Sequence, residues 1–190
     1  MENEFMLIQK ASKNNVEAFE KLIQPYTARL LNHAYRMLNN REDAEDALQE
    51  AYLKIFTSLY KFEGHSSFKT WAYRIVTNVC IDMLRKQKKT CETSLNVTNE
   101  DGEHEIVIPD YTYSPEISVQ KKSASDALKN ALENLNEEHK IVVVLRDIDR
   151  LSYDEIAHVT STNVGTVKSR INRARIQLKK LLEKNRELFT

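Results

Sequence analysis

The chain reads as an all-α protein: two small helical domains joined by a flexible acidic linker. Three observations predict this. Glycine and proline are scarce, 3 of each in 190 residues, whereas sheets joined by tight turns draw heavily on both. Apolar residues recur at intervals of three and four over most of the chain, the spacing that gives a helix one buried stripe. Between Cys91 and about Gln120 that spacing fails. The stretch is rich in Asn, Thr, Ser, Asp and Glu, contains Pro109 and Pro115, and holds no Lys or Arg, a composition that cannot bury a core. The expected division is residues 1–90, a linker over 91–120, and residues 121–190.

Residues 4–89 read as nearly continuous helix with short breaks. Asn14 and Asn15 are candidate caps for a helix through Phe19 and Leu22, which Pro25 restarts or bends. Asn39-Asn40 interrupts the pattern before a helix from Arg41 to about Phe62. Glu63-Gly64-His65-Ser66 is then a loop, and Ser66 or Ser67 caps a last helix to about Lys89. Beyond the linker, helices are predicted over Ser125–Leu135, Glu137–Ile148, Ser152–Thr160 and from Val164 to about Asn185.

The segment LSYDEIAHVTSTNVGTVKSRINRARIQLKKLL is the most specific part of the chain. Ser152 and Glu155 have the spacing of a capping box. A short turn over Thr160–Asn163 separates that helix from a second one, the arrangement of a helix-turn-helix whose second helix enters a major groove. At about 100° per residue, Val164, Val167, Ile171, Ala174, Leu178, Leu181 and Leu182 share one face. Gly165, Ser169, Asn172, Arg173 and Ile176 lie opposite, with Lys168, Arg175 and Lys179 on one flank and Thr166, Arg170 and Lys180 on the other. Thr162 to Arg186 holds 8 basic residues and one acid. A basic helix with one apolar stripe could be a solvated surface helix. Hydrogen-bonding groups near its N-terminus, flanked by cations, favour DNA. Ser169, Arg170, Asn172 and Arg173 are candidates for base edges, since Arg reads guanine and Asn reads adenine through paired hydrogen bonds. Lys168, Arg175 and Lys179 are candidates for phosphates.

The helix from Arg41 buries Ala44, Ala47, Leu48, Ala51, Ile55, Leu59 and Phe62. Its other face carries Glu42, Asp43, Asp46, Gln49 and Glu50, then Leu53 and Thr57. Carboxylates in a first turn stabilise any helix, but that does not account for Leu53 on the exposed side. Acids around an apolar spot suit docking on a protein surface rich in Arg and Lys. The next helix is its opposite in charge, with 6 basic residues over 68–89 against Asp82 alone. Phe68, Trp71, Ala72, Ile75 and Val79 form its core face, and Thr70, Tyr73, Arg74, Thr77, Asn78, Ile81 and Arg85 lie elsewhere around it. Aromatic residues beside a basic helix and a polar loop can hold unstacked bases; Phe68 and Trp71 alone read more simply as core.

Overall charge is balanced, 28 basic against 28 acidic, so bulk charge selects no partner. Its distribution does: 14 basic and 11 acidic over residues 1–90, none and 7 over 91–120, 14 and 10 over 121–190. Cys80 and Cys91 have neither CxxC spacing nor clustered histidines, so no metal and no cofactor is expected, and Cys80 reads as a core residue. The N-terminus has no basic n-region, and no apolar run approaches the ~20 residues of a membrane span. The reading is cytoplasmic.

Four stretches resemble the extracytoplasmic-function group of bacterial RNA polymerase sigma factors. EDAEDALQEAYLKIF is similar to the helix that docks on the β′ clamp helices of polymerase, within sigma region 2. FEGHSSFKTWAYRIVTNVCIDMLRK is similar to the loop and helix that melt and read the −10 element. VVVLRDIDRLSYDEIA and VGTVKSRINRAR are similar to the −35-reading region 4. The resemblance covers roughly residues 5–90 and 121–185. It implies that Asp43, Asp46, Gln49 and Glu50 contact core polymerase. It also implies that the loop from Glu63 to Phe68, including His65, captures a flipped base, and that Thr70, Arg74, Asn78 and Arg85 hold the melted strand. Thr166, Lys168, Ser169, Arg170, Asn172 and Arg173 would sit at the −35 groove. It further implies no catalysis by the chain itself, contacts with the β flap, sequestration by an anti-sigma factor, a monomer when free and a place on the nucleoid within holoenzyme.

Two rival readings compete with this one. A stand-alone regulator with the same helix-turn-helix would ordinarily be a dimer, and no dimer helix is evident. An enzyme acting on nucleic acid would need a phosphate loop, metal cluster or Ser/His/Asp arrangement, none of which is evident. If the two promoter elements lie ~25 base pairs apart, the gap is roughly 85 Å. Thirty extended residues span at most about 100 Å, whereas a free coil averages only ~30 Å. Something must hold the linker open, and a basic channel built for RNA suits its acidity. Replacing Glu100, Asp101, Glu103 and Glu105 with Gln is expected to weaken initiation and polymerase affinity. Run-off transcription and a binding titration check this.

Overall fold

The computed structural model describes residues 3–94 and 126–183, and every regular element among them is helical. In chain order they are α1 (Glu4–Ala11), α2 (Val16–Leu38), α3 (Arg41–Ser58), a 3-10 turn (Leu59–Lys61) and α4 (Phe68–Ser94). Then follow α5 (residues 126–133), α6 (Glu137–Val143), a π-turn (Val144–Ile148), α7 (Tyr153–Thr160) and α8 (Val164–Glu183). The predicted helices past Leu135 are all present. Apart from residues 91–94, which continue α4, the predicted linker lies outside the described residues, as do Ser125 and Asn185.

Short polar side chains start these helices. Asn15 accepts from the Ala18 N–H at 2.8 Å, Asn40 from Asp43 at 3.1 Å, Ser67 from Thr70 at 3.1 Å and Asn136 from His139 at 2.8 Å. Each bond satisfies one of the amide groups that a helix N-terminus leaves without a carbonyl. Ser152 and Glu155 form the capping box read from their spacing, with bonds of 3.2 and 2.7 Å. Asn39 and Ser161 close α2 and α7 in the left-handed region, at φ 58° and 51°, where Asn is among the few residues at ease. Pro25 sits inside α2 without ending it.

Helix α2 is the centre of the N-terminal half and packs on α1, α3 and α4. Leu22, Leu30, Ala34 and Met37 of α2 meet Ala44, Ala51 and Ile55 of α3 and Ala72, Val76 and Val79 of α4 in one core. The alanines let α3 approach closely. The Tyr26 hydroxyl donates to Glu4 at 2.6 Å and ties α1 down; burial, reinforced by that carboxylate, pushes its pKa up to about 12. The Tyr52 hydroxyl donates to Thr27 at 2.9 Å and joins α3 to α2. Beneath the loop before α4, Phe62, Phe68 and Trp71 stack at centroid distances of 5.3 to 6.3 Å.

In the C-terminal half α8 packs on α6 and α7. The segment read as one helix over Glu137–Ile148 changes pitch at Val144, where the Asp149 N–H reaches back to the Val144 carbonyl at 2.9 Å. Residues two apart in a helix point to nearly opposite sides. The π-turn therefore sends Asp147 towards α8 and Asp149 towards α2, where each finds a basic partner.

The two halves are in contact. α7 lies against α4 and the π-turn against α2, so buried residues of both halves form one apolar cluster. Three further differences from the expected elements follow from packing. α3 ends at Ser58 and tightens into the 3-10 turn, so Leu59 is buried and Phe62 points into the aromatic stack. α4 runs to Ser94, past Lys89. Thr70, Tyr73 and Thr77, expected away from the core face, are buried because α4 has a second covered side.

Stability should separate caps from core. Asn15→Ala removes one terminal hydrogen bond and is expected to cost about 1 kcal/mol. Ile55→Ala, which empties a fully buried site, is expected to cost about 2–5 kcal/mol. Chemical denaturation of the full chain checks the order.

Candidate functional site

Three helix faces carry the residues singled out from the sequence. The first is the outer side of α3. Asp43 is half-buried and accepts from Gln87 of α4 at 3.0 Å, while Asp46 and Gln49 are exposed. Glu50 pairs with Lys54 at 2.7 Å, and that hydrogen bond holds its carboxyl below the usual range against the opposing effect of burial. Leu53 is 67% exposed. It belongs to something larger than a spot: a groove of about 360 Å³ in which Val16 and Phe19 of α2 join Gln49, Tyr52 and Phe56 of α3. The sequence pattern revealed Leu53 and missed the groove, because Val16 reaches it only when α2 and α3 pack. An unexplained apolar residue at the first turn of α2 was the available signal.

The second face is the loop before α4 and the helix after it. Gly64 takes φ 77°, a conformation that suits glycine, and turns the loop back over α4. His65 and Glu63 pair at 2.8 Å in solvent. The loop, Trp71 and Arg74 line a polar cleft of about 210 Å³ whose far wall includes His158 of α7. Arg74 and Asn78 are exposed, and Arg85 is exposed but bonded to Glu137 of α6 at 3.2 Å. Two expected contact residues lie inside. Phe68 is 1% exposed within the aromatic stack, and Thr70, also 1% exposed, bonds to Ser67 and donates to Glu155 of α7 at 3.3 Å. In this arrangement Phe68 supports the loop from below, and Thr70 belongs to the contact between the halves. Burial works against the Glu155 carboxylate, yet hydrogen bonds from Ser152 together with the nearby Lys69 hold its pKa low.

The third face is α8. Val167, Ile171 and Ala174 are buried against α6 and α7, as the wheel predicts, and Ser169, Asn172, Arg173 and Ile176 point to solvent. Asn163 caps the helix by accepting from the Thr166 N–H at 2.8 Å, and a β-carbon at Gly165 would stand 3.3 Å from that same oxygen. The flanking cations are divided. Lys168 lies 5.7 Å above the Tyr153 ring, Arg170 pairs with Glu138 at 2.9 Å, and Arg175 forms a two-pronged pair with Asp147, its Nε at 3.1 Å. Lys179 is exposed near Glu183 on its own helix. Arg175, expected at phosphate, thus also fastens α8 to the π-turn, a contact between residues 28 apart that helical periodicity cannot reveal.

An amphipathic bundle presenting an apolar groove beside acidic residues of α3, joined to a helix-turn-helix with a solvent-facing Ser, Asn and Arg row, defines the class: a helical DNA-binding protein with a separate protein-docking face. Comparison with known proteins carries this further. The Sigma-70 region 2 family matches residues 22–90, and the Sigma-70, region 4 family matches residues 125–178. The chain is 33% identical over 177 residues to the ECF RNA polymerase sigma factor SigW of Bacillus subtilis, covering 92% of this chain and 94% of that one. It is 31% identical over 172 residues to RNA polymerase sigma factor YlaC of the same organism, covering 90% and 95%. Among solved structures it is similar to the sigma factor RpoE in a co-crystal with the anti-sigma factor NepR from Bartonella quintana, with a TM-score of 0.69, 25% identity, and coverage of 87% and 96%. The chain belongs to the ECF family of RNA polymerase sigma factors. Such proteins are non-enzymatic initiation factors that bind core RNA polymerase and promoter DNA. Among the described residues no helix is long and apolar enough to cross a membrane.

Asp147→Asn and Arg175→Gln are each expected to destabilise the chain by at most ~1 kcal/mol, because the pair is partly exposed and screened. The double variant should lose no more than either single one, which a double-mutant cycle by thermal melting checks.

Proposed function

We propose that residues 1–90 bind core polymerase and the −10 element, that residues 121–190 bind the −35 element, and that residues 91–120 link them. The observation that carries this reading is the division of α8: a buried stripe holds it on α6 and α7 while Ser169, Asn172 and Arg173 face solvent. A helix held from behind with a hydrogen-bonding face outward has the form of a recognition helix. Ser169, Arg170, Asn172 and Arg173 read base edges; Thr166, Lys168 and Arg175 serve the backbone. Arg170 exchanges Glu138 for DNA, since an exposed pair is readily given up. The β flap is the polymerase element against which this domain rests.

On α3, Asp43, Asp46, Gln49 and Glu50 meet the cations of the β′ clamp helices, and Leu53 seats an apolar side chain at their centre. The exposed groove around Leu53 supports this, because contiguous apolar surface on a monomer commonly marks a partner site. His65 and the loop before α4 hold a flipped base above Phe68, and Arg74, Asn78 and Arg85 follow the melted strand, with Thr70 joining them once α7 is withdrawn. The likeness to a sigma factor crystallised with an anti-sigma factor supports control by such a partner. The free protein is a cytoplasmic monomer that joins the nucleoid within holoenzyme.

Run-off transcription with core polymerase tests the assignment. Arg173→Ala is expected to lower promoter affinity roughly 5–150-fold, the equivalent of ~1–3 kcal/mol for a lost base contact, and to leave binding to core polymerase unchanged. Leu53→Asp is expected to do the reverse, weakening assembly with core while sparing binding to −35 duplex. A chain that binds its promoter specifically without polymerase would overturn the reading.

A further inference from the structure

A fully buried histidine joins the two halves. His33 of α2 is 0% exposed. Its Nδ1 lies 2.6 Å from Oδ2 of Asp149, beyond the π-turn, and its Nε2 lies 3.0 Å from the Thr77 hydroxyl of α4. The proton positions follow from the partners. Thr77 spends its only hydroxyl hydrogen on the Tyr73 carbonyl, 2.7 Å away, so its oxygen accepts from Nε2–H. One proton also lies between Nδ1 and the Asp149 carboxyl, so ring and carboxyl are joined by a short hydrogen bond sealed between α2, α4 and the π-turn. Around this centre Thr70 donates to Glu155, Lys69 stands 4.0 Å from the same carboxylate, Arg85 bonds to Glu137, and Lys140 is buried beside Cys80. Polar contacts thus stand at the centre and rim of a contact that is otherwise apolar.

We propose that His33 and Asp149 form an internal latch that holds the free chain closed, in a state that cannot engage a promoter. This rests on the reading that α4 and α8 serve separate promoter elements. Elements roughly 85 Å apart cannot be spanned by halves that share a 2.6 Å hydrogen bond. The closed state also occupies the strand-binding side of α4, where Thr70 and Arg85 are given to Glu155 and Glu137. The groove around Leu53 stays exposed, so a first contact through α3 is open to core polymerase, while tight binding, which uses both halves, needs them apart.

The chemistry of the latch suits reversible closure. Burying an imidazole and a carboxyl group is unfavourable unless each satisfies the other, so the pair specifies one docking geometry and adds little net adhesion. On opening, both groups regain water. Contacts between domains of one chain part under a modest bias unless they are large and wholly apolar, and this one carries polar groups at its centre and rim. A closed population of about 99% would weaken apparent affinity for polymerase about 100-fold, and any change that opens the chain recovers that factor.

Removing one partner is therefore expected to open the chain, and removing both to close it again. His33→Leu leaves the Asp149 carboxyl group buried without its hydrogen-bond partner. The full-length variant should scatter X-rays as an extended particle, lose hydrogen-exchange protection over residues 70–78 and 153–160, and bind core polymerase about tenfold or more tightly. Asp149→Leu, placed in the other half, should act in the same direction, so misfolding of either half cannot imitate the result. Far-UV circular dichroism and −35 duplex binding should match the parent chain in both. His33→Leu with Asp149→Leu replaces the pair by an apolar contact and should return scattering and exchange towards the closed profile. A parent chain that is already extended, or single variants with its compact profile, overturns the latch. Opened variants with unchanged polymerase affinity overturn the masking. If no variant and no parent chain binds core polymerase, the assignment of α3 fails instead, and scattering still decides whether the latch exists.

Discussion

A helix has one circumference to divide between its neighbours and its partners, and that constraint organises this molecule. About 100° of apolar surface is enough to hold a helix on a core. Helix α8 uses that much and no more, so the arc carrying Ser169, Asn172 and Arg173 remains outward. Helix α3 spends its alanine stripe on α2 and α4 and keeps Asp46, Gln49 and Leu53 outside. Helix α4 has more neighbours. With α2, α3 and α7 all against it, Thr70, Tyr73 and Thr77 pass from surface to interior, and Arg74 and Asn78 are left to face solvent.

Charge follows the same division. The flanking cations of α8 are not spread evenly around it; two are drawn onto carboxylates of the preceding segment, Arg170 onto Glu138 and Arg175 onto Asp147. The buried stripe of Val167, Ile171 and Ala174 sets the rotation of the helix, and these pairs add a weak tether at its flanks. Lys168 is steadied over the Tyr153 ring, a contact that leaves its ammonium accessible to a phosphate. Recognition and placement are thus carried by adjacent residues of one helix. The π-turn sets both arrangements at once, because a change of pitch at Val144 aims Asp147 at α8 and Asp149 at α2.

The way the halves meet also explains why a small protein of this family can tolerate a polar seam. Where two domains must later part, a wholly apolar contact would expose a hydrophobic patch on opening. Here part of the surface that would be uncovered consists of His33, Thr70, Arg85, Glu137, Asp149 and Glu155, all of which hydrate well. The apolar residues of the loop region, Phe62 and Phe68 among them, stay covered by their own half through the aromatic stack.

Much of this was legible in the residues alone. The caps at Asn15, Ser67 and Ser152, the capping box, the buried stripes of α3 and α8 and the outward face of α8 all depend on residues within a few positions of one another, and local spacing dictates them. The family itself follows from four such stretches in order. What the amino-acid order could not disclose is every contact made across large separations. The groove needs Val16 beside Leu53; the burial of Thr70 needs Glu155; the latch joins His33 to Asp149, 116 positions apart. No periodicity marks a residue whose partner arrives from another domain, because its burial is decided by which helix covers it and not by its own neighbours. Sequence determined which surfaces each helix could offer; only the packing of one half on the other decided which of them were used up inside the molecule.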